Sequence, residues 1–231
     1  MAAHYPRIIG TGAFQSSAAS NTHTIGGTSG ISEPGDLILI FLESANQAFT
    51  APVGGGYIAL ASSPQGTGTA GAANATRLTV FYKISNGAET TYVTGDSGDH
   101  NCVASLVLRG VDLLNPINAT AGNTAAASTT ITLPAVTTTV PECLIILAVA
   151  TDRDLNSAAT FSNPVNANLA NFVERIDSTT NTGQGGGLGI YTAEKGTAGT
   201  TGTTNITQAV SEETGRITIA IAPLRRRIAV T

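Results

Sequence analysis

The stretch GDSGDH at residues 95–100 places a serine, two aspartates and a histidine side by side. Gly95-Asp96-Ser97-Gly98 is a loop of the kind that presents a nucleophilic serine in acyl-transfer enzymes, which makes Ser97 the first candidate for chemistry. A working serine needs a histidine to take its proton, a carboxylate to orient that histidine, and an oxyanion hole. The chain has 3 histidines. His4 is terminal, His23 lies in the polar run Asn21-Thr22-His23-Thr24, and His100 stands too close to Ser97 in sequence to serve without a special turn. Turn chemistry gives a simpler reading: Gly95 to Asp99, between two strand-like runs, predicts a hairpin loop. The expectation is that Ser97 is no nucleophile and the chain is not an enzyme.

Asp96, Asp99 and His100 are also candidate metal ligands, and Asp152 with Asp154 forms a second acidic loop. Calcium asks for roughly six to eight oxygens, and neither loop has the EF-hand spacing. Both are expected to be surface turns, with no catalytic, cofactor or metal residue among them. Gly183-Gln184-Gly185-Gly186-Gly187-Leu188-Gly189 looks like a phosphate loop, but such loops open a helix. Here Ile190-Tyr191-Thr192 follows, a strand, so the phosphate reading fails on context. Phe81, Tyr82 and Tyr191 lie on strand-like runs and are expected to pack in the core.

The elements that must hold these residues are legible from composition. The chain has 231 residues, of which 11% are charged, against about 25% in an average domain. Thr, Val and Ile suit pleated surfaces, while the 26 glycines with Asn, Ser and Pro supply turns. An all-β fold follows. Strands are predicted at Arg7–Thr11, Leu37–Glu43, Tyr57–Ser62, Arg77–Ile84, Thr91–Thr94 and Cys102–Arg109. Others are predicted at Thr129–Leu133, Leu144–Thr151, Phe172–Ile176, Gly187–Ala193, Thr203–Thr207 and Arg216–Ala222. LILIFL (37–42) and LIILAVA (144–150) are continuous apolar runs, suited to strands covered on both faces. The segments at 77–82 and 216–221 alternate and are expected to have one wet face.

The two halves of the chain echo each other. Pro34–Leu39 matches Pro141–Ile146, Arg77–Tyr82 matches Gly187–Thr192, and Val103–Leu108 matches Ile217–Ala222, in the same order. The prediction is an antiparallel β-sandwich, jelly-roll-like, in one domain over 1–231. Its two similar halves, about 7–117 and 129–224, would have about five to six strands each and one shared core. Asn118–Thr130 (NATAGNTAAASTT) is read as a surface loop joining them, and Gly66–Asn74 and Gly183–Gly187 as further loops.

Net charge is −4, with a pI near 5.3, so no nucleic-acid or membrane partner is expected. The N-terminus lacks a signal-like apolar run, and no segment is long enough to cross a bilayer as a helix. Arg225-Arg226-Arg227 opens a basic C-terminal tail, 225–231, read as solubilising rather than as a docking peptide. Cys102 and Cys143 fall in strand-like runs and are expected to be buried; whether they meet stays open, and two cysteines are too few for a Cys-rich zinc site. With no Trp, 5 Tyr and 6 Phe, aromatic stacking on sugars is disfavoured.

Several segments in order carry a resemblance. They are Gly35-Asp36-Leu37-Ile38-Leu39-Ile40-Phe41, the run from Leu78 to Glu89 (LTVFYKISNGAE), Val107-Leu108-Arg109-Gly110-Val111-Asp112, Asn115-Pro116-Ile117, and the threonine-rich entry Thr137-Thr138-Thr139-Val140-Pro141. Together they resemble a family of bacteriophage virion β-sandwich proteins over most of residues 34–222, with Gly56-Tyr57 where that family carries Gly-Trp. The resemblance implies a non-enzymatic structural component of the virion without cofactors, made in the host cytoplasm. It implies either a capsid decoration or cement protein or a tail-associated module. No heptads precede the strand-like run at Arg7, which favours the compact decoration protein over a fibre. The implied partners are the major capsid protein or other virion proteins and further copies of the chain, as a closed homotrimer. The alternative is a tail-tip or tail-fibre module that binds a receptor or host surface glycan.

Overall fold

A computed structural model describes residues 4–18, 22–25, 32–52 and 55–224. The described residues form strands and loops without a helix. The first half holds β1 (Arg7–Ser17), β2 (Thr22–Thr24), β3 (Leu37–Ser44), β4 (Ile58–Ala59), β5 (Gln65–Thr67), β6 (Thr76–Ile84), β7 (Thr91–Val93) and β8 (Asn101–Arg109). The second holds β9 (Ile117–Leu133), β10 (Thr137–Thr138), β11 (Cys143–Thr151), β12 (Phe161–Val165), β13 (Ala170–Thr180), β14 (Gly186–Lys195), β15 (Gly199–Thr200) and β16 (Thr204–Ile221).

Two antiparallel sheets dominate. One has the order β1-β8-β3-β6-β4, with β5 also on β6; the other runs β12-β16-β11-β14-β13, with β9 also on β16. The echo in the sequence is an echo in topology. The three matched pairs of segments are β3 with β11, β6 with β14 and β8 with β16, and in both sheets they stand in the order β8-β3-β6 or β16-β11-β14. β1 flanks β8 as β9 flanks β16.

The continuous apolar runs are explained by apolar layers on both faces of each sheet. Leu37, Leu39 and Phe41 point between the sheets with Leu78, Val80, Leu106 and Leu108, against Ile146, Ala148, Leu188, Ile190, Ile217 and Ile219. The alternate residues Ile38, Ile40 and Leu42 pack outward with Ile25, Phe81, Tyr92 and Val103. In the second half Ile145, Leu147 and Val149 pack outward with Ile131, Leu133, Phe161 and Ile206. Period 2 then puts an apolar residue at every position of a central strand.

The structure corrects several expectations. Asn118–Thr130 is no loop: it lies in β9, paired along β16. Its Ala, Thr and Gly residues suit a strand whose side chains stay largely half-buried or exposed while its backbone hydrogen bonds are made. The segments 203–207 and 216–222 are largely one long strand, β16, with register breaks between Thr207 and Thr214. Tyr57–Ser62 shrinks to β4, and β2, β5, β10, β12 and β15 were not expected. The alternating segments have no wet face, because Thr79, Arg216 and Thr218 are buried under the outer layers. Gly95–Asp99 does not close a hairpin either: β7 pairs with β2, whereas β8 pairs with β1 and β3.

Candidate functional site

At one end of the layer between the sheets the apolar pattern stops and a polar cluster takes over. Glu43 follows Leu37, Leu39 and Phe41 on the same face of β3, and the β3–β8 register sets it opposite Cys102. His100 immediately precedes β8. Glu43, His100 and Cys102 are 0%, 1% and 0% exposed. Among the described residues they form the one group of three potential ligand side chains whose donor atoms lie within 4.8 Å of one another.

His100 is clamped at both nitrogens. Nε2 lies 3.0 Å from Glu43 Oε2, and Nδ1 lies 2.8 Å from Asp99 Oδ2. The Thr76 hydroxyl donates to Glu43 Oε1 at 3.1 Å, and the Cys102 thiol also donates to Glu43. Burial alone would lower the His100 pKa, but the hydrogen bonds and charges of Glu43 and Asp99 prevail and lift it to about 9. Burial lifts Glu43 too, despite its donors, and holds the Cys102 thiol protonated.

The second half closes the cluster. The Gln184 N–H donates to Asp99 Oδ2 at 2.6 Å, and the Gly186 backbone packs so close that a Cβ there would collide with Glu43 Oε2 and His100 Nε2. Gly183 and Gly185 take positive φ values of 59° and 75°. The glycine run is thus a tight turn pressed against a buried ionic group, and not an anion loop.

Ser97 is not joined to this histidine as a nucleophile to its base. Its hydroxyl donates to the His100 carbonyl at 2.6 Å, while both ring nitrogens face carboxylates. Asp96 accepts from the Gly98 N–H at 2.8 Å, an ordinary Asx turn. The expectation of a surface turn holds for Asp96 and fails for His100, which the crossover from β7 to β8 drives inward. The partner that sequence reasoning missed is Glu43, hidden at the end of an apolar run. Its signal was a carboxylate on a strand read as covered on both faces.

The other candidates lie apart. His4 is exposed, and its N–H donates to Glu142. His23 is buried against Gln15 and the Tyr92 ring, and burial lowers its pKa to about 4. Asp152 is buried, and that burial, with Glu212 and Glu213 nearby, raises its pKa to about 7; Asp154 is exposed. Cys102 and Cys143 are both buried and form no disulfide. Phe81 and Tyr191 are core residues and Tyr82 packs against the core. The Arg225–Arg227 cluster lies outside the described residues.

Among the grooves on the surface, two bear on function. One of about 1000 Å³ lies at the opposite end of β3 and β8 from the cluster, and its lining includes Tyr5, Ile8, Arg109, Val140, Pro223 and Leu224. The other, about 730 Å³, is lined by residues that include Tyr57, Lys83, Glu89, Tyr92 and Asp96. In it Lys83 pairs with Glu89 at 2.6 Å and lies 5.6 Å from the centre of the Tyr57 ring. Among the described residues the hydroxyls of Tyr57 and Tyr92 have no hydrogen-bond partner. Comparison with known protein families, curated proteins and solved structures finds no match to this chain.

Proposed function

We propose that this chain is a non-enzymatic structural protein of a bacteriophage particle, a capsid decoration or cement protein seated on the head. The motif order from Gly35 to Pro141 suggests the particle. The observation that carries the seat is the end of the sandwich where both described termini meet. Leu224 follows an isolated bridge between Val111 and Pro223, and Leu113, Leu114 and Leu224 are 52%, 76% and 57% exposed. Leu224 lines the adjacent groove with Tyr5, Ile8, Val140 and Pro223, and Leu113 and Leu114 follow Asp112, whose N–H donates to the Ala222 carbonyl. Exposed large apolar side chains at one end of a sheet are characteristic of surfaces that another protein covers. Seated across a joint between shell subunits, the protein would add its buried area to the work of separating them.

Particles with and without the protein, compared by heat- or dilution-induced rupture, test the cement role; equal rupture thresholds refute it. Leu114→Asp with Leu224→Asp should lower occupancy on particles by tenfold or more, the effect expected of losing about 1.4 kcal/mol or more of interface. Sedimentation of the purified protein tests the homotrimer.

A second reading, a glycan- or receptor-binding module at the tail, is favoured by the groove that the partly exposed Tyr57 ring shares with the Lys83–Glu89 pair, an aromatic ring beside polar groups as in many sugar sites. Gold label confined to the tail, with glycan binding lost in Tyr57→Ala, would select it over the head.

A further inference from the structure

The geometry points to a metal site: Glu43, His100 and Cys102 bind one zinc ion through Oε2, Nε2 and Sγ. This stands independently of where on a particle the protein sits. Three kinds of donor atom converge from three places in the chain, the end of β3, the residue before β8 and the second residue of β8, and all lie within 4.8 Å. Ligand atoms around a tetrahedral zinc, with bonds of about 2.0–2.3 Å, stand roughly 3.3–3.7 Å apart. The Glu43–His100 separation of 3.0 Å therefore needs to open by only a few tenths of an ångström. Thiolate and imidazole together select zinc over calcium or magnesium, which prefer oxygen cages.

Two further features belong to a metal site. Asp99 holds Nδ1 of His100, so the imidazole keeps its proton there and turns Nε2 toward the ion, the usual arrangement behind a metal-bound histidine. Thr76 fixes the other oxygen of Glu43. A hydrogen bond from a thiol to a carboxylate is weak, so Cys102 adds little to the cluster without a metal, whereas as a thiolate it is a strong zinc ligand.

Zinc held by a thiolate, a carboxylate and a neutral imidazole displaces the protons those donors would otherwise carry, so uptake of the ion releases protons to solvent.

Because the ligands are buried, the ion must enter as the chain folds. The test is to unfold the full chain, refold it with Co²⁺ in metal-free buffer, and desalt it. About one cobalt per chain should remain, with a thiolate-to-cobalt charge-transfer band, and added Zn²⁺ should displace it. The band should vanish in Cys102→Ser and survive in Cys143→Ser, and Asp99→Asn should weaken retention about 10–100-fold. As a check that does not depend on any variant folding, wild type refolded with Zn²⁺ should melt higher than wild type refolded with chelator. No retained cobalt, a band that persists in Cys102→Ser, or identical melting with and without Zn²⁺ overturns the assignment.

Discussion

Position 43 carries a carboxylate where the strand pattern reserves an apolar side chain, and the protein keeps it buried only because His100, Thr76 and Cys102 surround it. Removing one member of a buried ion pair leaves the other uncompensated, so His100→Leu should destabilise the fold by about 3–5 kcal/mol. Ser97→Ala removes one hydrogen bond and should cost only about 1 kcal/mol. Chemical denaturation of both variants checks the ranking; a larger loss for Ser97→Ala would return that hydroxyl to the centre of the site. Asp152 carries a pH signature. Its folded pKa of about 7 stands above the ordinary 3.8 because of burial first, then Glu212 and Glu213, with backbone N–H groups partly offsetting them. The folded state therefore holds a proton that the unfolded chain has released, and stability falls as pH rises from about 4 through about 7. Asp152→Asn should match wild type near pH 4 and exceed it at pH 8 by on the order of 2 kcal/mol. Melting curves across that range decide it, and parallel profiles for the two proteins would refute it.

Glycines link elements whose backbones must nearly touch, and they divide into those that tolerate a methyl group and those that do not. Gly186 opens β14 directly against Glu43 and His100, so Gly186→Ala forces apart the two halves and should cost about 1–3 kcal/mol. Gly95 belongs to the conspicuous GDSGDH stretch, yet its nearest neighbour for an added Cβ is Thr50 Oγ1 at 3.7 Å. Gly95→Ala should change stability by less than about 0.5 kcal/mol. Equal effects of the two, measured by denaturant midpoint, would contradict this placement. The same contrast shows what the sequence could and could not tell. Central strands such as Leu37–Glu43 and Leu144–Thr151 announce themselves because apolar side chains fill both faces. β9 does not, since its backbone pairs with β16 while Ala, Thr and Gly side chains stay largely half-buried or exposed, so it carries no hydrophobic period. The His100 cluster was half visible: GDSGDH drew notice, but its true partners come from β3 and the β13–β14 turn, distant in sequence and fixed only by register.

The matching strand order of the two sheets sets how the whole molecule holds together. Each half presents one face of its sheet to the other, and the layer between them is built from both. The first half alone would expose Leu37, Leu39, Phe41, Leu78, Val80, Leu106 and Leu108 to water. At about 1.5–3 kcal/mol for each side chain, that is roughly 10–20 kcal/mol, as much as the entire stability of an ordinary domain. Residues 1–112 expressed alone should consequently be unfolded or aggregated, and co-expression with residues 113–231 should restore a soluble complex. The intact chain should then unfold in one transition, with circular dichroism and tyrosine fluorescence changing together. The His100 cluster strengthens this expectation, because Gln184 and Gly186 of the second half complete a polar site that the first half cannot satisfy alone. A soluble, folded fragment of residues 1–112, or two separated transitions in the intact chain, would mean that each sheet finds its own cover and that the shared layer is an interface between independent units.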